Sequence, residues 1–463
     1  MSVATVLQYL DQQRSRHLAE LMEFLRFPTV STESPHHQDL QQAADWLCAR
    51  LEQAGLRAAV SPTGGHPVVI GRSQVQADRP TVLVYGHYDV QPVDPLPLWR
   101  RPPFEPAVDA GYLYARGASD DKGQFFLHVI AAEAWLKTIG ELPVNLILLC
   151  EGEEEIGSPH LPEWIAAHRA ELAAQVAVVS DTPMLGPNLP AICYGLRGLL
   201  TATLTVLGPD HDLHSGVFGG AVANPAHVLA EILASFHDAS GRVAVEGFYD
   251  SVLPPTPEER RRIAELPYAE ERFLAEAGVK QGFGEPGYDS LERAWMRPTL
   301  EVNGIASGFQ GEGYKTVIPA RAEAKLSCRL VPEQAPEEVF SALERHVNQF
   351  VRPGISVRLV RGEGAPPSLL PVDHPAVAAA QRAVEAVWGQ AASLIRMGGS
   401  IPIVDTFARV LGVPTLLLGF GLPDDQFHAP NERFALDNLW RGAKTAAALL
   451  AELGQAGVDA NPG

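Results

Sequence analysis

The apolar run Val144-Asn145-Leu146-Ile147-Leu148-Leu149-Cys150, followed at once by Glu151-Gly-Glu-Glu-Glu-Ile-Gly-Ser158, restricts this chain more than any other stretch. Pro143 and a glycine-containing turn bound the run. Its near-continuous apolar character predicts a buried strand of a mainly parallel sheet. Ligands of such sheets bind beyond the carboxyl ends of the strands. Four carboxylates in five positions there repel one another and lose water, which is costly unless cations gather them. Taken alone, the run also reads as a solvated acidic loop.

Other strand ends carry the same kind of residue. The strand from Pro80 ends at Gly86 and delivers His87, with Asp89 two residues on. In extended chain these side chains point the same way, so Asp89 is expected to accept the second ring N–H of His87 and raise the basicity of a metal-bound imidazole. Asp120 lies in the turn Gly117-Ala-Ser-Asp-Asp-Lys-Gly123 before an expected amphipathic helix over 124–135; an N-cap is the alternative role. Val176-Ala-Val-Val-Ser ends at Asp181, and the strand over 413–420 leads to His428. His, Asp, Glu-Glu, Asp and His at successive strand ends point to a two-metal hydrolytic site with N/O ligands, one carboxylate bridging the ions.

The motifs Gly86-His-Tyr-Asp-Val-Gln-Pro92, Gly117-Ala-Ser-Asp-Asp-Lys-Gly123 and Glu151-Gly-Glu-Glu-Glu-Ile-Gly-Ser158 resemble those of the co-catalytic di-zinc peptidases. That family includes aminoacylases, glutamate-releasing carboxypeptidases, succinyl-diaminopimelate desuccinylase and carnosinases. Tyr194-Gly-Leu-Arg-Gly198, Asp212-Leu-His-Ser-Gly-Val-Phe-Gly-Gly220, Lys315-Thr-Val-Ile-Pro319, Arg329-Leu-Val-Pro332 and Gly398-Gly-Ser-Ile-Pro402 resemble the branch of carnosinases and cytosolic non-specific dipeptidases. The resemblance implies two Zn²⁺ per chain, with Mn²⁺ as the alternative ion. It implies His87, Asp120, Glu155, Asp181 and His428 as ligands, Asp120 as the bridge and Glu154 as general base. Two Zn²⁺ against three ligand carboxylates leave one positive charge, and zinc can bring a bridging water to a pKa of roughly 7. Asp at position 181 is the residue of aminopeptidase and dipeptidase members, whereas Glu is usual in carboxypeptidases and deacylases.

At 463 residues the chain exceeds a single comfortable core. The expected architecture is α/β: a catalytic domain over 1–196 and 367–463, its mainly parallel sheet flanked by helices, interrupted over 197–366 by an α+β lid and dimerisation domain. A composition of 46% hydrophobic and 20% charged residues suits a globular chain, and no apolar run is long enough to span a membrane. No secretory signal is visible, and Cys48, Cys150, Cys193 and Cys328 lack metal spacing, so a cytoplasmic protein with reduced thiols is expected. The net charge of −19 disfavours nucleic acid and anionic membrane as partners.

Within the insert, the resemblance implies that His214 donates a hydrogen bond to an oxyanion, in the active site of a partner subunit in a homodimer; a structural loop His is the alternative. Arg329, the only basic residue in the alternating segment Leu326-Ser-Cys-Arg-Leu-Val331, is expected on the open face, to hold a substrate carboxylate; its rival role is a salt bridge within the sheet. Thr316 and Ser400 are implied as further substrate contacts. The favoured reading is a Zn²⁺ dipeptidase or short-peptide aminopeptidase with Glu154, Asp89 and His214 as its working residues. A deacylase or carboxypeptidase on the same scaffold, and a non-catalytic binding protein, are the alternatives.

Overall fold

Apolar runs alternating with helical stretches build the first of two units. The computed structural model describes residues 2–268 and 270–456. The first unit comprises the chain up to Tyr194, Leu370–Ile395 and the segment from Pro402 onward; the second comprises Gly195–Leu369 with Arg396–Ile401.

The first unit contains a sheet whose strands run in the order Arg57–Ser61, Val68–Arg72, Asn145–Glu151, Thr81–His87, Val176–Val179, Thr415–Leu417 and Ala191–Leu196. The four strands from Asn145–Glu151 to Thr415–Leu417 pair in parallel. The outer pairs are antiparallel. His87 stands opposite Glu151, Tyr85 opposite Val179, and Leu417 opposite Val179, so the parallel strands end together along one edge. Asn145–Glu151 is buried at every position, as a strand covered on both faces should be.

The helix Lys122–Thr138 differs from expectation. Every residue from Lys122 to Trp135 is buried, so the helix is enclosed on all sides instead of amphipathic. It packs on the strand Thr81–His87 and against the helices Leu436–Gln455, Val3–Gln12, His37–Ala54 and Arg14–Phe24. Its buried charged residues, Lys122 and Glu133, are matched from outside the helix. Glu133 accepts hydrogen bonds from Tyr9 Oη at 2.8 Å and from the guanidinium groups of Arg16 and Arg50. Apolar burial of about 1.5–3 kcal/mol per large side chain thus fixes both the strand ends and the turn that opens this helix.

In the second unit an antiparallel sheet runs in the order Thr299–Ser307, Arg321–Leu330, Gly198–Leu207, Ser356–Ala365. Leu200, Ala202, Leu204 and Val206 pack with Ala322, Ala324, Leu326 and Cys328 in a core shared with the helices Pro225–Ser235 and Pro336–Asn348. The alternate residues Thr201, Thr203, Lys325 and Arg329 occupy the other face. The strand Thr299–Ser307 was not expected, and the Pro/Glu/Arg-rich stretch before it forms the helices Pro257–Ala264, Glu270–Glu276 and Ser290–Met296. Among the described residues no helix is long and apolar enough to cross a membrane.

Candidate metal centre

The edge where the parallel strands end carries the five candidate ligands. His87 closes its strand with a fully buried side chain. Gly86 before it has no room for a side chain: a Cβ there would lie 2.5 Å from Asp121 Oδ2 and 2.6 Å from the Phe125 ring. This close approach lets Asp121 Oδ2 accept the His87 backbone N–H at 3.2 Å. Asp120 and Asp121, joined by a cis peptide bond, open the buried helix. Glu154 and Glu155 sit on the short 3₁₀ turn Glu154–Ile156. Asp181 lies two residues beyond Val176–Val179, and His428 adopts a left-handed backbone conformation, φ 56°, in the loop after Thr415–Leu417.

The carboxylate of Asp120 is divided between two groups. Its Oδ1 lies 3.1 Å from His87 Nε2, while its Oδ2 lies 2.9 Å from His428 Nε2. Asp181 Oδ2 is 3.8 Å from His87 Nε2, and Glu155 Oε2 is 3.4 Å from His428 Nε2. His87, Asp120 and Asp181 form one triad and Asp120, Glu155 and His428 another, the ligand atoms within each lying within 4.8 Å of one another. Glu154 belongs to neither triad, and among the described residues its carboxylate accepts no hydrogen bond.

The donor set fits divalent cations. His87 Nε2 is buried and lacks a hydrogen-bond partner among the described residues, though it faces two carboxylates. Burial pushes the Glu155 carboxyl up to about 8 and the Asp181 carboxyl well above its usual range, with Asp120 adding repulsion to each. Burial raises Glu154 as well. Asp120 goes the other way: against its own burial, His428 and His87 hold it below the ordinary carboxylate range. Crowded, buried carboxylates around the His87 imidazole are costly until positive charge enters.

Asp89 departs from its expected geometry. His87 Nδ1 lies 3.1 Å from the Asp89 backbone oxygen and 3.4 Å from its Oδ1. The Asp89 carboxylate instead accepts the backbone N–H groups of Glu154, at 3.2 Å to Oδ1, and Glu155, at 3.1 Å to Oδ2. It therefore anchors the acidic turn as well as neighbouring the imidazole. Glu151 accepts from Tyr85 and Ser158, and Glu153 from His66 N and His160, which fixes both ends of the turn. Sequence reasoning missed Gln91, whose Nε2 donates to Glu155 Oε2 at 2.7 Å. Its position four residues after His87, in the same motif, was the available signal.

The remaining candidates belong to the second unit. His214 caps the short helix Ser215–Phe218 and is exposed. Its Nδ1 accepts from Gly216 N at 2.9 Å, which places the proton of the neutral ring on Nε2 and leaves that atom free to donate. The backbone oxygen of Thr316 accepts from Ser215 N at 3.0 Å. Arg329 Nη1 donates to Ser400 Oγ at 2.9 Å, and Ser400 donates to the Arg197 backbone oxygen. No carboxylate among the described residues pairs with Arg329.

Residues 83–452 match peptidase family M20/M25/M40. The chain is similar to the Cys-Gly metallodipeptidase DUG1 of Saccharomyces cerevisiae, 32% identical with 97% of this chain and 98% of that protein covered. It is also similar to the Beta-Ala-His dipeptidase of Homo sapiens, 31% identical with 97% and 92% covered. Among solved structures, an M20 family metallo-carboxypeptidase from Sulfolobus solfataricus superposes with a TM-score of 0.84 at 34% identity, covering 95% of this chain and 99% of that one.

Proposed function

The chain belongs to peptidase family M20/M25/M40 and is a metallopeptidase, and we propose that it is a two-zinc dipeptidase acting on dipeptides or short peptides with a free N-terminus. The observation that carries this reading is the pair of triads sharing Asp120, with Glu154 on the same turn but outside both. His87 and Asp181 would hold one ion, Glu155 and His428 the other, and Asp120 both. Mn²⁺ is the alternative metal. Bound there, the ions would polarise the scissile carbonyl and acidify the attacking water.

Glu154 is the general base: a carboxylate oxygen takes the water proton and passes it to the departing amine. Burial raises its affinity for protons. Asp89 holds the Glu154–Glu155 backbone so that one side chain can face metal and the other substrate. His214 donates from Nε2 to the oxyanion of the reacting carbonyl, acting on the partner subunit of a homodimer. Arg329, supported by Ser400, pairs with the substrate carboxylate, and Thr316 adds a hydrogen bond. Work in the cytoplasm is in keeping with the four free cysteines.

Both curated relatives reported above are dipeptidases. A carboxypeptidase is the second reading, favoured by the solved structure of that description; Asp at position 181, where carboxypeptidases of the family usually have Glu, weighs against it. The test restores metal-stripped protein ion by ion against free, N-acetylated and C-amidated dipeptides and longer peptides. Rapid cleavage of free dipeptides with Zn²⁺ or Mn²⁺ is expected. Preference for N-acetylated substrates, or for long peptides trimmed at the carboxyl end, would replace this reading with the second one or with a deacylase.

A further inference from the structure

Asp120 and His428 lie far apart in sequence, yet their side chains meet at 2.9 Å. A fully buried carboxylate joins the two segments. Glu432, four residues after His428, is 0% exposed. Its Oε2 accepts from Arg116 Nη1 and from Gly117 N, each at 2.9 Å. Its Oε1 accepts from Ser119 N at 2.9 Å and from Asp120 N at 3.1 Å. Its own backbone oxygen accepts from Ala115 N at 3.2 Å. Two neighbours help to bind these segments together. Asp425 accepts from Ser119 Oγ and Leu422 N, and Gln124 spans Ser119 O and the N–H groups of Phe420 and Gly421. Among the described residues only Glu432 reaches the backbone of Asp120 itself.

We propose that Glu432 is a positioning residue of the metal centre: its carboxylate sets the Asp120 backbone so that one Asp120 oxygen is turned toward His87 and the other toward His428. The proposal rests on the two-ion reading. A buried carboxylate is tolerable here because Arg116 neutralises it and three N–H groups satisfy it. The neutral pair adds little net charge to the site, so what it contributes is geometry. In Glu432→Gln one oxygen becomes an NH₂ group facing donors, and two of the four bonds are lost. Whichever oxygen is replaced, the clamp on residues 116–120 is weakened, and Asp120, which serves both triads, is held less firmly.

Loss of groups that orient ligands typically costs about 10–100-fold in metal affinity. Titration of the metal-free full chain with Zn²⁺ by calorimetry should show that loss for Glu432→Gln, and a smaller loss for Glu432→Asp, which keeps the charge but reaches fewer donors. Glu292→Gln is the control, since it damages another buried carboxylate, held by Arg260 in the second unit. It should lower the melting temperature and leave Zn²⁺ affinity unchanged. Excess Zn²⁺ should restore the kcat of Glu432→Gln with KM unaltered. Wild-type Zn²⁺ affinity in either folded Glu432 variant overturns the proposal, including the case where Glu432→Gln fails to fold but Glu432→Asp binds normally. Fewer than two Zn²⁺ bound by the wild-type chain would instead overturn the two-ion reading, whatever the variants do.

Discussion

Asp89→Asn should separate metal binding from catalysis. The Asp89 carboxylate is fully buried and accepts two backbone N–H groups, at 3.2 and 3.1 Å, from the residues proposed as base and ligand. In the variant one acceptor becomes an NH₂ donor, so one of those N–H groups is left buried and unpaired, at a cost of about 1–3 kcal/mol. Removing a negative charge that raises Glu154 offsets part of this loss. The metal-free variant should therefore melt lower by only a few degrees. Zn²⁺ affinity should fall about 10–100-fold, as expected for a group orienting His87 and Glu155. The larger effect appears once metal is saturating. A Glu154 backbone no longer held in place can be misplaced by about 1 Å, enough for roughly a hundredfold loss of kcat. Steady-state kinetics on a free dipeptide, at rising Zn²⁺ with affinity measured separately, distinguish the two contributions. If saturating metal returns kcat to the wild-type value, Asp89 serves His87 alone and the argument about the turn is wrong.

Arg329→Ala should lower kcat/KM on free dipeptides at least about thirtyfold, since losing a buried charge-assisted pair costs roughly 2–5 kcal/mol, with much less effect on C-amidated dipeptides; equal losses on both would assign Arg329 to the fold. Inactive His214→Ala and inactive Glu154→Gln chains, mixed, should regain activity through heterodimers, and sedimentation showing a fully active monomer would rule that out. Burial lowers the His128 imidazole to about 4, against about 6.5 in an unfolded chain. Below 6.5 only the unfolded chain takes up this proton, so stability should fall by up to about 3 kcal/mol as pH drops toward 4. His128→Gln should flatten the denaturation midpoint of the metal-free protein over that range, and an unchanged slope would contradict the assignment.

The candidate site was legible where its signals are local. His87 and Asp181 follow apolar runs directly, Glu155 lies in the acidic turn just after one, and a strand that ends at the sheet edge delivers what comes next in sequence. Asp120 and His428 were readable from their turns. What joins them was not, because the bonds of Glu432 to residues 116–120 span some three hundred positions and depend on the folded sheet. The helix expected over 124–135 looked amphipathic because His128 and Glu133 suggest a wet face. Their partners lie on other elements: Arg16 and Arg50 for Glu133, and Ser180, just past the strand Val176–Val179, for His128. The strand Thr299–Ser307 was missed because it lies at the edge of its sheet, largely exposed, so apolar periodicity is weak. The dual engagement of Asp89 was equally hidden: His-x-Asp spacing announces the imidazole, while the N–H groups of Glu154 and Glu155 are reached only through the pairing of His87 beside Glu151.

The central claim, two ions sharing one carboxylate with a separate base, is tested most directly by counting metal per chain in the wild type, Asp120→Ala and Glu154→Gln, purified under the same conditions and measured by mass spectrometry of the elements. The account predicts two ions in the wild type, loss of both or nearly both in Asp120→Ala, and two retained ions without turnover in Glu154→Gln. Full occupancy in Asp120→Ala would contradict the bridge, and undiminished turnover in Glu154→Gln would contradict the base.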